Sequence, residues 1–329
     1  MKVLALRLVV IAAAVAVIVV LPSHLSDYHQ LVGGEIAIFF IAILGLDLLT
    51  GYTGQISLGH GAFMAIGGYT TAILYRDHAD ALPWHSTLST IPAAAAASFA
   101  LGVLVGIPAL RLSGAYLALA TFSVALVVPA LANNYTHFSG GRDGIFLPIR
   151  TGHWSYIVGW GLAGITLLLA WLFLRGRTGR AWRGLRDSDT AASSAGVDIS
   201  VYKTLAFGIS AAFAGVAGSL FVLISGIAQP DEFGLLLSVE LFIGAAVAGL
   251  GSLWGVVVGA AFVYFLRVGA QGTSIAYLDS HKYAAPVLQG AAVILVMFLL
   301  PGGFAGLLRR LGLLAARLPS LPPVGGGRD

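Results

Sequence analysis

Cysteine is absent from the sequence, which excludes disulfide staples and thiolate metal centres and leaves the redox compartment unmarked by composition. Charge is scarce as well: Asp, Glu, Lys and Arg make up only 10% of 329 residues, too few to cover the surface of a soluble domain of this length. Lysine is rarer still, with Lys2, Lys203 and Lys282 alone. None of the three follows a glycine, so the sequence holds no GxxxxGK[ST] phosphate loop with which to grip ATP. The eight histidines are scattered, without an HExxH pair, and no GxSxG nucleophile elbow occurs. The reading is therefore of a chain that is not an enzyme, with no catalytic residues, cofactor, metal site or nucleic-acid partner expected.

What the sequence has in abundance is apolar surface. Hydrophobic residues make up 58% of it and the mean hydropathy is +0.92. These values define an all-α polytopic membrane protein, since a spanning backbone must satisfy its own polar groups. Apolar blocks run over Met1–Leu21, Ile36–Thr50, Ile56–Tyr75, Leu88–Leu110, Ala115–Ala132, Tyr156–Leu174, Thr204–Ala228, Leu236–Ala248, Leu253–Val268 and Ala284–Leu300. They predict about ten transmembrane helices, or eight if the short blocks Ile36–Thr50 and Leu236–Ala248 re-enter, because a bilayer needs about 20 residues per helix. The first block has no small-x-small cleavage site after it and is read as a retained helix. With the N-terminus inside, ten crossings leave only Arg76, Arg142, Arg150, Arg267 and Lys282 outside, so 13 of the 18 basic residues are cytoplasmic. Residues 1–308 form one transmembrane domain with a cytoplasmic connection over 175–203, and 309–329 form a cytoplasmic tail.

Two stretches break the helical pattern. Gly51, Gly54, Gly59 and Gly61 interrupt the apolar run around Asp47, Gln55, Ser57 and His60, and Gly249, Gly251, Gly255 and Gly259 follow the other short block. Interrupted segments in corresponding positions read as a weak internal repeat beside a central pathway; close helix contacts through small residues are the competing reading. In the connection Arg175–Lys203, Asp187-Ser188-Asp189 resembles an N-cap for a short helix over Thr190–Ala195 ended by Gly196. Such a helix is too small to fold alone, so it is expected to lie along the membrane and dock into a partner. The longest outer loop, Asn133–His153, centres on Gly140, Gly141, Arg142, Asp143 and Gly144, with Ser274–Lys282 as a second exposed loop.

Six ordered segments, GYTGQISLGHGAF (51–63), RLSGAYLALATFS (111–123), NNYTHFSGGRDGI (133–145), GRAWRGLRDSDTAASSAGV (179–197), ELFIGAAVAGLGSLWGVVVGA (240–260) and VILVMFLLPGGFAGL (293–307), resemble the membrane permease subunits of branched-chain, or hydrophobic, amino-acid ABC importers. The resemblance spans nearly the whole chain. It implies a second homologous permease, two cytoplasmic ATP-binding subunits and an extracytoplasmic substrate-binding protein, assembled in the lipid of a bacterial or archaeal inner membrane with both termini cytoplasmic. It implies that Arg186, Asp189, Ala191, Ala192 and Gly196 form the coupling helix that sits on an ATPase. Ser193 departs from the family, which commonly has a carboxylate there. It further implies that Gly51, Gly54, Gln55, Ser57, Gly59 and His60, with Asp47 on the residue evidence, lie along the translocation pathway. Asp47 stands where a neutral amide is commoner, and a carboxylate at that depth needs a partner; His60 and Arg111 are the candidates. Glu240 is expected near the outer interface. Related permeases serve urea and short amides, so the solute class stays open between these and branched-chain amino acids. An ion-coupled secondary transporter using Asp47, or a passive channel, is the alternative, and either would leave 175–203 without a partner.

Overall fold

A computed structural model describes residues 20–77, 88–109, 112, 114–272 and, towards the C-terminus, 290, 291, 294, 295, 298 and 302–307. Nearly all of the Met1–Leu21 block, most of Ala284–Leu300, the Ser274–Lys282 loop, Arg111 and the 309–329 tail lie outside the described residues. Within them the chain is helical in chain order: α1 Asp27–Thr53, α2 His60–Asp77, α3 Thr90–Ala109, α4 Ala115–Asn134, α5 Gly152–Arg175, α6 Arg177–Asp187, α7 Asp189–Ser194, α8 Ile199–Ser225, α9 Leu235–Ala248 and α10 Val256–Gly272. The expected all-α polytopic membrane architecture is therefore the one that forms. Five helices, α1, α3, α4, α5 and α8, are long and apolar enough to cross a bilayer by length and composition.

α1 and α8 make the centre. Their most apolar windows are 72% and 89% buried within the chain, against 17% for α4 at the rim. α8 packs against α3, α2 and α1, while α5 lies along α1 and α10 closes the other side with α9. In lipid no hydrophobic force draws helices together, so close backbone approach and dispersion have to do it. Gly218 on α8 sits so near the Met64 carbonyl on α2 that a Cβ there would collide with it. α4 touches the bundle along one stripe, Leu117, Thr121, Ala125 and Pro129, at the four-residue spacing of a helix face.

Two elements differ from the sequence expectation. α1 has 27 residues, where the apolar block began only at Ile36. The polar first turns, Asp27 to Glu35, lower the hydropathy without breaking the backbone, and Gln30 Nε2 donates to the carbonyls of Pro22 and Leu25 at 2.9 Å each. That ties the preceding 3-10 turn, Leu21–His24, onto the helix. The basic half of the 175–203 connection is itself a helix, α6. Gly179, Ala181, Trp182 and Leu185 are buried on one face, and Arg177, Arg180, Arg183 and Arg186 are exposed. Trp182 Nε1 donates to the Tyr202 carbonyl at 3.0 Å and Arg183 Nη2 to that of Leu174 at 3.2 Å, which moors α6 between α8 and the end of α5.

At the opposite end of the bundle, the 133–153 loop folds back as a cap. Ile145–Phe146 and Ile227–Ala228 form a two-stranded antiparallel ladder, pairing Ile145 with Ala228. Gly140, Gly141 and Gly144 all hold positive φ, and a Cβ on Gly144 would meet the Ala228 carbonyl. The Gln229 side chain donates to the Arg142 carbonyl at 3.2 Å. Phe146 and Ile149 remain 74% and 78% exposed on this cap.

Candidate functional site

The first glycine break is a short extended segment, residues 54–59, between α1 and α2. Gly54 ends α1 in the left-handed region at φ 73°, its amide bonded to the Leu49 and Thr50 carbonyls. Non-helical backbone inside a membrane protein must be satisfied by protein groups, and here hydroxyls on several helices supply them. Thr50 Oγ1 donates to the Gln55 carbonyl at 3.0 Å, Leu58 N donates to Thr121 Oγ1 on α4 at 2.9 Å, and Gly61 N donates to Ser238 Oγ on α9 at 2.8 Å. Gln55, Ser57 and His60 are buried. Gln55 Nε2 donates to Thr53 Oγ1 at 2.9 Å, and Ser57 Oγ accepts from Gly59 N at 3.3 Å. Gly59 itself lies against the Thr121 backbone. Among these positions Gly54 and Ile56 are the exposed ones.

His60 is paired across the bundle with Ser210 on α8, Nε2 to Oγ at 2.9 Å. The Ser210 hydroxyl donates to the Gly45 carbonyl at 2.7 Å, so its single proton is used and Nε2 is the donor of the pair. One histidine thus links α2, α8 and α1. Asp47, completely buried, is not matched to His60. Its Oδ1 accepts the Gly251 amide at 2.7 Å, and Oδ2 has no hydrogen-bond partner among the described residues. Gly251 belongs to the second glycine break, between α9 and α10, where Gly249 and Gly251 hold φ 91° and 83°. Arg186, at the end of α6, donates through Nη1 to the Gly51 carbonyl and lies against Gly251 as well. The two breaks are therefore joined to each other by Asp47 and to α6 by Arg186.

α7 follows directly. Ser188 caps it, its hydroxyl accepting from Ala191 N at 3.3 Å, and Gly196 ends the segment at φ 81°. Asp189 pairs with Lys203 at 2.5 Å, which fixes α7 to the first turns of α8. Ala192 is buried and faces Gly184 of α6. Ala191, Ser193, Ser194 and Gly196 are exposed, so the free face of α7 is the Ala191 side. Glu240 lies about one and a half turns into α9, buried beside Arg267, whose Nε is 4.0 Å from Glu240 Oε2.

Thr121, Ser210, Ser238 and Gly251 are partners that the sequence does not single out. Their signal is slight: a single small polar side chain in an apolar helix, or one glycine among several.

An all-α multi-pass bundle, with two glycine breaks tied to a short surface helix, has the class of a polytopic membrane protein. The family described as branched-chain amino acid transport system / permease component matches residues 31–300, and the chain belongs to that family. It is similar to the high-affinity branched-chain amino acid transport system permease protein LivM of Salmonella typhimurium and to that of Escherichia coli. Each is 32% identical over 293 residues, covering 79% of this chain and 66% of the relative. It is also 26% identical over 294 residues to LivH of Salmonella typhimurium, a permease protein of the same description, covering 82% of this chain and 91% of the relative. The chain thus spans a little under two thirds of the length of the LivM relatives. No solved structure matches it.

Proposed function

We propose that this chain is one of two homologous permease subunits of an ATP-driven ABC importer, working with two ATP-binding subunits on the cytoplasmic side and a substrate-binding protein outside. The solute is a branched-chain amino acid or a related small solute such as urea or a short amide. The chain crosses the membrane about ten times with both termini cytoplasmic. The observation that carries the reading is the α6–α7 unit: a short helix with an exposed small-residue face, anchored by Arg186 to the Gly51 break.

Closure of the ATPases moves α7, and the Arg186 contact passes that movement to the two breaks. The glycines absorb the change in backbone angle while the helices on either side shift. Asp47, Gly51, Gly54, Gln55, Ser57, Gly59 and His60 serve this translocation segment from within the subunit, as the frame that holds the break in place. An ion-coupled carrier would need Asp47 to exchange a cation. The bond from the Gly251 amide to its Oδ1 supports a structural task.

The test is to purify the tagged chain from its host in mild detergent beside an Ala191→Arg variant, and to measure uptake in membrane vesicles with and without ATP. An ATPase that co-purifies with the wild type and is lost from Ala191→Arg, with ATP-dependent leucine uptake lost in parallel, supports the reading. ATP-independent transport by both proteins, with no ATPase bound, overturns it.

A further inference from the structure

At the end of the bundle away from α6 and α7 there is a cavity of about 190 Å³ between α1, α8 and α10. It lies below the roughly 300 Å³ at which drug-sized ligand sites begin, so its occupant is a small solute. Its walls have two characters. Ile38, Phe39, Phe221 and Val268 give it an apolar side, and Glu35, Glu232 and Arg267 give it a charged side.

The charges are unbalanced and incompletely used. Arg267 Nη2 pairs with Glu232 Oε2 at 2.7 Å, while Nε is 4.0 Å from Glu240 Oε2, beyond hydrogen-bond reach. A guanidinium has five N–H donors in a fixed fork, so Arg267 keeps donors for a further carboxylate. Its plane also lies over the Phe221 ring, 5.9 Å from the centroid, which holds the head beside the apolar wall. Glu240 is 7% exposed at the side chain, and its Oε2 has no hydrogen-bond partner among the described residues. Glu35 lines the cavity and makes no hydrogen bond or close ion pair among the described residues. Among the described residues, Glu35 and Glu232 at the cavity and Glu240 beside it thus outnumber the one guanidinium of Arg267.

We propose that this cavity binds a small zwitterionic amino acid with an apolar side chain. Its ammonium meets Glu35, its carboxylate meets the spare donors of Arg267, and its side chain lies against Phe39, Phe221 and Val268. The assignment deepens the importer reading, on which its choice of solute rests: it places a solute site inside one permease subunit, at the end where solute from outside would arrive. A pure cation would leave the Arg267 donors unused, and a pure anion would add to the carboxylate excess.

Equilibrium binding of tritiated leucine to the purified full chain in detergent tests this, with isocaproate and isoamylamine as competitors. Isocaproate is leucine without its ammonium and isoamylamine is leucine without its carboxylate. Saturable binding is expected. Each competitor should be weaker than leucine, and Glu35→Gln should weaken leucine by about tenfold or more, the scale of one charge-assisted hydrogen bond. Val268→Trp, which fills the cavity without touching a charge, should abolish binding. Absence of leucine binding to the wild type, binding unchanged in both variants, or isoamylamine binding as tightly as leucine overturns the site. ATP-dependent leucine uptake by the assembled transporter is measured beside it. Intact uptake in variants whose binding is unchanged removes the cavity proposal and leaves the importer standing, whereas a wild type that takes up no leucine and co-purifies with no ATPase removes the importer reading itself.

Discussion

Asp47 accepts the backbone amide of Gly251, 204 positions further along the chain. A carboxyl oxygen that accepts a peptide N–H supplies a hydrogen bond that a glycine break cannot supply for itself. Four residues after Asp47, one turn along α1, the Gly51 carbonyl accepts from Arg186. Both breaks in the bundle and the end of α6 are thus clasped within one turn of α1. On the importer reading proposed above, a displacement of α6 would act on the two breaks together.

Asp47→Asn and Asp47→Ala separate the cap from the charge. The amide of Asn keeps an oxygen for the Gly251 N–H, so the melting temperature of the purified chain should stay near that of the wild type. Alanine leaves that N–H buried without an acceptor, at a cost of about 1–3 kcal/mol, and should lower the melting temperature clearly. If both variants melt together, the bond to Gly251 is not what Asp47 contributes.

Arg186→Ala removes the tie to Gly51 while leaving the exposed Ala191 face of α7 intact. The expected result is an assembled complex that still hydrolyses ATP but takes up solute about tenfold less per ATP, the ~1.4 kcal/mol scale of one charge-assisted hydrogen bond. Uptake and hydrolysis measured on the same proteoliposomes check it. A proportional fall in both rates would place Arg186 in ATPase binding instead.

Much of this arrangement was legible before any coordinates. All eight apolar blocks from Ile36 to Val268 correspond to helices, because long apolar runs and backbone self-satisfaction leave few alternatives. The α7 helix was readable from Ser188 and Gly196, whose capping preferences are local. Other features were not. α6 was hidden because its four arginines dominate its composition, while the helical spacing of Trp182 and Leu185 carries its fold. Of the charged candidates for Asp47, His60 pairs with Ser210 instead and Arg111 lies outside the described residues. A backbone amide leaves no mark in a sequence, so Gly251 could not be singled out. Ser210 and Ser238 are lone hydroxyls in apolar helices, and only the crossing of those helices tells which carbonyl or amide each one meets.

Gly218→Val should be among the most damaging single changes to the bundle. The added side chain would have to enter the space held by the Met64 carbonyl, a backbone atom that cannot rotate aside, and overpacking of this kind costs typically about 1–3 kcal/mol. Leu104→Val on α3, at a position 65% exposed to the outside of the bundle, serves as the control and should stay within about 0.5 kcal/mol of the wild type. Yield of monodisperse protein and melting temperature in detergent report both. Equal behaviour would mean that α2 and α8 can separate at little cost, and the tight crossing would then lose its assigned part in holding the core.

Arg142→Glu probes the outer cap. The Arg142 side chain is exposed, whereas its carbonyl takes part in the fold by accepting from Gln229, so reversing the charge should leave the loop in place. If the substrate-binding protein lands on this cap, its association rate should fall about tenfold at 0.1 M salt, as electrostatic steering is lost. The difference should nearly vanish at 1 M salt, where the Debye length shrinks from about 10 Å to about 3 Å. Stopped-flow or surface-based kinetics with the reconstituted permease pair give both numbers. Equal rates for the two proteins at low salt would move the landing site elsewhere, leaving the exposed Phe146 and Ile149 as the next residues to vary, since an apolar contact would be insensitive to salt.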